Sequence, residues 1–230
     1  MEHLYGITID PSVKFRSEIE NIADKITKKK AAREIFGKSP FITPDKNFFI
    51  LQPNPTISNQ LVVGYNEIPQ AAQITLTLRQ NESEGNFEHD TEGNFAKVTT
   101  LAKDCTEIIT SHLDVDISRV GSVHKFVLET TAVKSKILEH FVRDIMTDSG
   151  NFHGGIFKFL YREKPLGLPE LNINISIETS ETNDLMQFEI DINNKDLGSM
   201  SVNQIENIGA YSRDFVRNRL FKMLGDKGLI

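Results

Sequence analysis

The sequence predicts an α+β fold, a predominantly antiparallel sheet covered by long helices, and three observations carry that expectation. Leu171, Ile173, Ile175 and Ile177 alternate with Asn172, Asn174, Ser176 and Glu178; after a polar turn over residues 179–184, Met186, Phe188, Ile190 and Ile192 alternate with Gln187, Glu189, Asp191 and Asn193. A period of two with one apolar and one wet face is the pattern of an antiparallel hairpin that buries one side. Next, Ser201-Val202-Asn203-Gln204 has capping-box spacing, and Ile205, Ile208, Phe215, Leu220 and Met223 follow on one helical stripe, a cover for the hairpin's apolar face. Finally, residues 3–113 read strand, long helix, three strands, helix, and residues 118–224 read strand, helix, three strands, helix.

Tyr5, Ile7 and Ile9 alternate with Gly6 and Thr8 in a first strand that ends at Asp10-Pro11. Phe15, Ile19, Ile22 and Ile26 then recur at helical spacing, and a kinked continuation through Lys28–Arg33 is stopped by Gly37 and Pro40. Residues 48–51 and 61–65 are apolar runs between Pro, Asn and Gly, and Ala72, Ile74, Leu76 and Leu78 alternate with polar neighbours, so all three read as strands. Residues 81–94 form a polar, Glu-rich loop. Val98, Leu101, Ala102, Cys105, Ile108, Ile109 and His112 define one face of the cleanest helix. Residues 118–128 read as a strand with Val120, Phe126 and Leu128 on one side, and Val133, Ile137, Phe141 and Ile145 as the apolar side of a helix. After the Gly-rich break at residues 150–155, Phe157, Phe159 and Tyr161 mark the strand that precedes the hairpin.

The shared order divides the chain into residues 1–115 and 116–230, a pseudo-repeat without residue-by-residue identity. The halves either join antiparallel strands in one curved sheet with helices on one face or form two compact units. This order is similar to the helix-grip and TATA-binding-protein-like architectures. That resemblance implies the single curved sheet, and it covers no family motif.

Composition narrows the function. With 39% apolar and 25% charged residues in 230, the chain is expected to fold around a substantial core. A net charge of −6 argues against a whole surface built for nucleic acid or anionic lipid. The one cysteine, Cys105, excludes an internal disulfide framework and a multi-thiolate zinc site, and fits a reducing compartment. The amino terminus lacks a basic segment leading into an apolar run, and no stretch approaches the roughly 20 apolar residues that span a bilayer. A soluble, cytoplasmic protein without a membrane partner is expected. No phosphate-binding Gly loop, dinucleotide fingerprint or nucleophile elbow occurs, so no cofactor is implied and an enzyme is the less favoured class.

Four features remain as candidate chemistry. His112, Asp114 and Asp116, on an extended backbone, would present an imidazole and two carboxylates to a divalent metal; the plainer reading is a helix end followed by a turn. His140 and Asp144 are four apart on a helical pattern, the spacing of a tuned base or of a surface ion pair. His153 lies within the Gly-rich break, where a backbone can approach a ligand or simply turn. Lys25, Lys28, Lys29, Lys30, Arg33 and Lys38 form a basic run that would track a phosphate backbone, with Phe36, Phe41, Phe48 and Phe49 as stacking surfaces, or else a solvated helix end above core phenylalanines. The reading favoured is a binding or assembly module for a protein partner or a homo-oligomer. The alternatives are nucleic-acid binding through the basic run, and an enzyme with a site near His112, Asp114, Asp116 or His153.

Overall fold

The computed structural model describes residues 2–10, 12, 14–53, 60–68, 71–81, 93–129, 155–179, 185–196 and 200–226. The strands are β1 (Glu2–Ile9), β2 (Phe41–Pro44), β3 (Phe48–Gln52), β4 (Gln60–Ile68), β5 (Ala71–Asn81), β6 (Ile117–Glu129), β7 (Gly155–Glu163), β8 (Leu171–Thr179) and β9 (Leu185–Asn194). The helices are α1 (Phe15–Thr27), α2 (Lys30–Phe36), α3 (Gly93–Leu113) and α4 (Val202–Asp214), the last continuing through a π-helical segment, Phe215–Phe221, into α5 (Lys222–Asp226). The fold is α+β, as the alternating and helical periods predict.

The described strands form one nine-stranded sheet in the order β2-β3-β4-β5-β1-β6-β9-β8-β7, and every pairing among them is antiparallel. Its centre is the β1–β6 pair, where Gly6 lies opposite Gly121 and Tyr5 opposite Ser122. Outward from that pair, β5, β4 and β3 follow on one side and β9, β8 and β7 on the other, a mirrored order that runs without interruption across the chain. The predicted hairpin is the β8–β9 pair, with Ile175 opposite Ile190.

Alternation decides which face is covered. Tyr5, Ile7 and Ile9 of β1, Val120 and Phe126 of β6, Leu171, Ile173 and Ile177 of β8, and Phe188, Ile190 and Ile192 of β9 are buried in one continuous core beneath the helices. The helices meet that layer with Phe15, Ile19, Ile22 and Ile26 of α1, Val98, Leu101, Cys105 and Ile109 of α3, and Ile205 and Ile208 of α4. At the middle α3 and α4 pack side by side. The Tyr5 hydroxyl rises between them to Thr99 Oγ1 at 3.1 Å and lies against Gly209, and Lys103 pairs with Glu206 at 2.9 Å. Gly209 is glycine for space, because a Cβ there would come closer to the Tyr5 oxygen than the 3.0 Å that nonbonded Cβ atoms keep.

Three local features depart from the periodic reading. The basic helix does not continue: α1 ends at Thr27, and Lys29 takes an extended conformation (φ −68°, ψ 143°) as it caps α2. β2 was not expected; it is four residues long and contains Pro44, at the sheet edge where a missing N–H is tolerated. Met223, expected on the buried stripe, is 46% exposed, while Leu224 is buried. Met223 stands about five regular turns beyond Ile205, so a straight helix would bury it. The wider i→i+5 turns of the π segment rotate less per residue, which brings Val216, Leu220 and Leu224 to the core instead. The expected helix around Val133–Ile145 and the residues of the 82–92 loop lie outside the described residues.

Candidate functional site

α3 ends in a turn that parts His112 from Asp114 and Asp116 of the expected metal cluster. Asp114 has φ 55°, the left-handed conformation of a residue just past a helix end, and the Val115 N–H donates to the Thr110 carbonyl at 3.3 Å, the long bond of a Schellman cap. Asp tolerates that backbone better than most residues because its short side chain competes for local hydrogen bonds. The turn sends Asp114 and Asp116 into an open cleft of about 530 Å³ that they line with Asp10, Thr110, Ser111 and the start of α4 at Ser201. Backbone bonds hold the walls, from the Asp10 N–H to the Asp116 carbonyl at 2.9 Å and from the Met200 N–H to the Ile117 carbonyl at 3.0 Å.

His112, two residues before Asp114, points to α1 instead. Its Nδ1 lies 2.8 Å from Lys25 Nζ and its Nε2 2.7 Å from Glu18 Oε2. The tautomer with the proton on Nε2 satisfies both, accepting from the ammonium and donating to the carboxylate. Each ring nitrogen is thus engaged, so neither offers a lone pair to a metal. Among the described residues no group of three or more His, Cys, Asp or Glu side chains is placed to hold a metal ion. The trio fastens α3 to α1: bonds from Asn21 and then His112 hold the Glu18 carboxyl below its ordinary pKa.

The basic run is dispersed in the same way. Lys25 is bonded to His112, Lys28 to Asp24, Lys29 to Asp104 of α3 at 3.3 Å, and Lys30 to Glu34 at 3.6 Å. Arg33 and Lys38 are exposed on and just after α2. Phe36 and Phe49 are buried in the core and present no stacking surface, and Phe48 is half-buried. The break at Lys29 is the reason: the six cations do not lie along one continuous helix, and α3 supplies carboxylate and imidazole partners to two of them. Cys105 is buried, and burial pushes its thiol well above the usual range, so it serves as a small core side chain. His140, Asp144 and His153 lie outside the described residues.

Two arrangements escaped sequence reading. Ser122 and His124 of β6 share the buried side with Val120 and Phe126, and with Ser212 of α4 they form a closed triangle: His124 Nε2 lies 2.6 Å from Ser212 Oγ and 3.0 Å from Ser122 Oγ, and the hydroxyls are 3.0 Å apart. A hydroxyl beside an imidazole is the nucleophile–base pairing of hydrolytic chemistry, but all three side chains are buried and the pairing joins α4 to the sheet. The alternation from Val120 to Phe126 was the available signal, since polar residues on a buried stripe require partners.

The second arrangement is the β7 margin. Among the described strands β7 is the last of the sheet, and its Ile156 and Leu160 are 58% and 62% exposed. Leu166, in the following connection, is fully exposed. Beside Leu160 a groove of about 350 Å³ runs over Lys158, Asn174, Ser176, Glu189 and Asp191. Arg219 secures the far end of the strand through Glu163 at 2.7 Å.

No family model matches the chain, and no curated protein matches it. No described helix is long and apolar enough to cross a membrane.

Proposed function

We propose that this protein is a cytoplasmic binding and assembly module that recognises a protein partner or further copies of itself through the β7 margin. The observation that carries the reading is the exposed apolar pair Ile156 and Leu160 on β7, beside a backbone edge on which no described strand pairs. An exposed strand edge offers N–H and C=O groups for strand addition, and neighbouring apolar side chains add burial to that pairing. The polar residues gathered elsewhere are spent on holding elements together: His112 joins α3 to α1, and Ser212 joins α4 to β6.

Light scattering combined with affinity capture tests this. The wild-type chain is expected either to run above its 26.0 kDa mass or to retain a protein that the Ile156→Glu/Leu160→Glu variant loses. A monomer that captures the same proteins with and without those substitutions would refute it.

A further inference from the structure

We infer that two copies of the chain pair about a two-fold axis by reciprocal docking: the turn after β7 of one, with Leu166 at its tip and Arg162 and Lys164 beside it, enters the cleft that Asp10, Asp114 and Asp116 line on the other. This rests on the assembly reading above and names the partner, but it uses the turn and not the strand edge. The turn is built to stay in place. The Leu168 N–H donates to the Pro165 carbonyl at 3.2 Å and Gly167 has φ 77°, a type II turn with Leu166 at its second position. Its base is pinned on both sides, by Glu163 to Arg219 at 2.7 Å and by Glu170 to Lys195 at 2.8 Å, and Leu168 packs against the core. Leu166 is nonetheless fully exposed. A side chain presented on so fixed a backbone gives up little freedom when it binds.

Charge and position select a second copy as the partner. Lys195 foremost, with Arg162 and Lys164, holds the Glu170 carboxyl below its ordinary pKa, so all three cations gather at the turn. Glu163 and Glu170 are taken by Arg219 and Lys195, which leaves the exposed Arg162 and Lys164 as an excess of positive charge on a chain of net −6. The cleft is the reverse. Its three aspartates are exposed and form no ion pair with a described residue, its described lining contains no cation, and Val115, Met200 and Val202 add apolar surface for the leucine. Its volume of about 530 Å³ lies within the roughly 300–1,000 Å³ of binding pockets. Opposite potentials favour this encounter over one between like surfaces. Turn and cleft also share one end of the sheet: Glu163 pairs with Leu171, Leu171 with Asn194, and Asn193 with Gly121, four residues after Ile117 in the cleft wall. Three strand spacings separate them, roughly 14 Å. The pinned base keeps the turn from folding back across β8 and β9 to its own cleft, and a two-fold axis between the two features sets each turn against the other copy's cleft, the closed arrangement commonest among dimers.

Light scattering of the full chain at low salt and rising concentration tests this. The wild type is expected to reach twice its 26.0 kDa mass and to fall back toward the monomer at high salt, where exposed charges are screened. Lys164→Glu, Leu166→Ser and Asp116→Lys, each checked for an unchanged circular dichroism spectrum, are expected to weaken the dimer about tenfold or more. Asp114 is left alone because its backbone ends α3. The decisive sample is an equal mixture of Lys164→Glu and Asp116→Lys chains. Each alone sets like charges together, whereas in the mixed pair one contact is native and the other is reversed in both charges, so the mixture is expected to recover the dimer. A wild type that stays monomeric overturns the docking, as does a dimer that these three substitutions leave intact, a mixture that stays monomeric, or growth beyond two chains. In any of these cases, protein capture that depends on Ile156 and Leu160 would leave the broader assembly reading standing, so the two fail separately.

Discussion

Replacing Gly209 with alanine sets two known effects against each other at one buried point. In a solvent-facing helix interior, Gly→Ala stabilises by about 1 kcal/mol because alanine loses less backbone freedom. At position 209 the added Cβ would overlap the Tyr5 hydroxyl and sit 3.1 Å from both Thr99 Oγ1 and Thr99 Cγ2. Tyr5 is fully buried on β1 and bonded to Thr99, so relief requires moving α4 away from the sheet centre or turning the tyrosine out of its site. Overpacking of this kind costs about 1–3 kcal/mol. With a backbone-fixed obstacle the upper end applies, and the net loss after the helix gain is expected to be about 2 kcal/mol.

The Tyr5→Phe background isolates the cause. Removing the hydroxyl costs about 1 kcal/mol for the lost bond to Thr99 but vacates the space that the alanine methyl needs. Gly209→Ala should therefore be close to neutral in that background, a coupling of about 2 kcal/mol between two positions in contact. Urea denaturation followed by circular dichroism on the four proteins measures it. Equal costs for Gly209→Ala in both backgrounds, or a stabilisation in the wild-type background, would show that the Tyr5 hydroxyl does not occupy the space above Gly209.

Three further outcomes follow from the contacts. Asp114→Gly should leave stability unchanged or raise it by up to about 1 kcal/mol, while Asp114→Val should lower it by about 1–2 kcal/mol, because the left-handed backbone past α3 favours glycine and penalises a branched side chain; thermal denaturation of both variants checks this, and equal behaviour would refute the cap. Ser212→Ala should cost about 1–3 kcal/mol by leaving His124 and Ser122 with a missing partner in the core; urea titration giving no loss would mean that the triangle contributes nothing. Glu18 has a folded pKa below its unfolded one, so its contribution is present above the ordinary carboxylate range and is lost as pH falls through the folded value. Melting temperatures measured from pH 7 to pH 3 should fall less steeply for Glu18→Gln than for the wild type, and parallel curves would count against the Asn21 and His112 bonds.

The α+β class, the β8–β9 hairpin, the cap at Ser201 and the burial of Cys105 were all legible in the sequence. Each depends on which side of its own element a residue occupies, and a period of 2 or 3.6 records that locally. Tertiary structure decided the rest. His112 stood on a helical stripe, and its neighbours in sequence, Asp114 and Asp116, suggested a metal; its partner Glu18 is 94 residues away, and the left-handed turn at Asp114 parts His112 from the two aspartates. Periodicity placed Met223 in the core, but the choice of a π-helical segment after Phe215 rotated it out and brought Leu224 in. The mirrored strand order and the exposed β7 margin are facts about which strands become neighbours. Alternating residues specify that a face must be covered but leave open what lies beside the strand, because backbone pairing is common to all sequences and is settled only when layers and connections pack together.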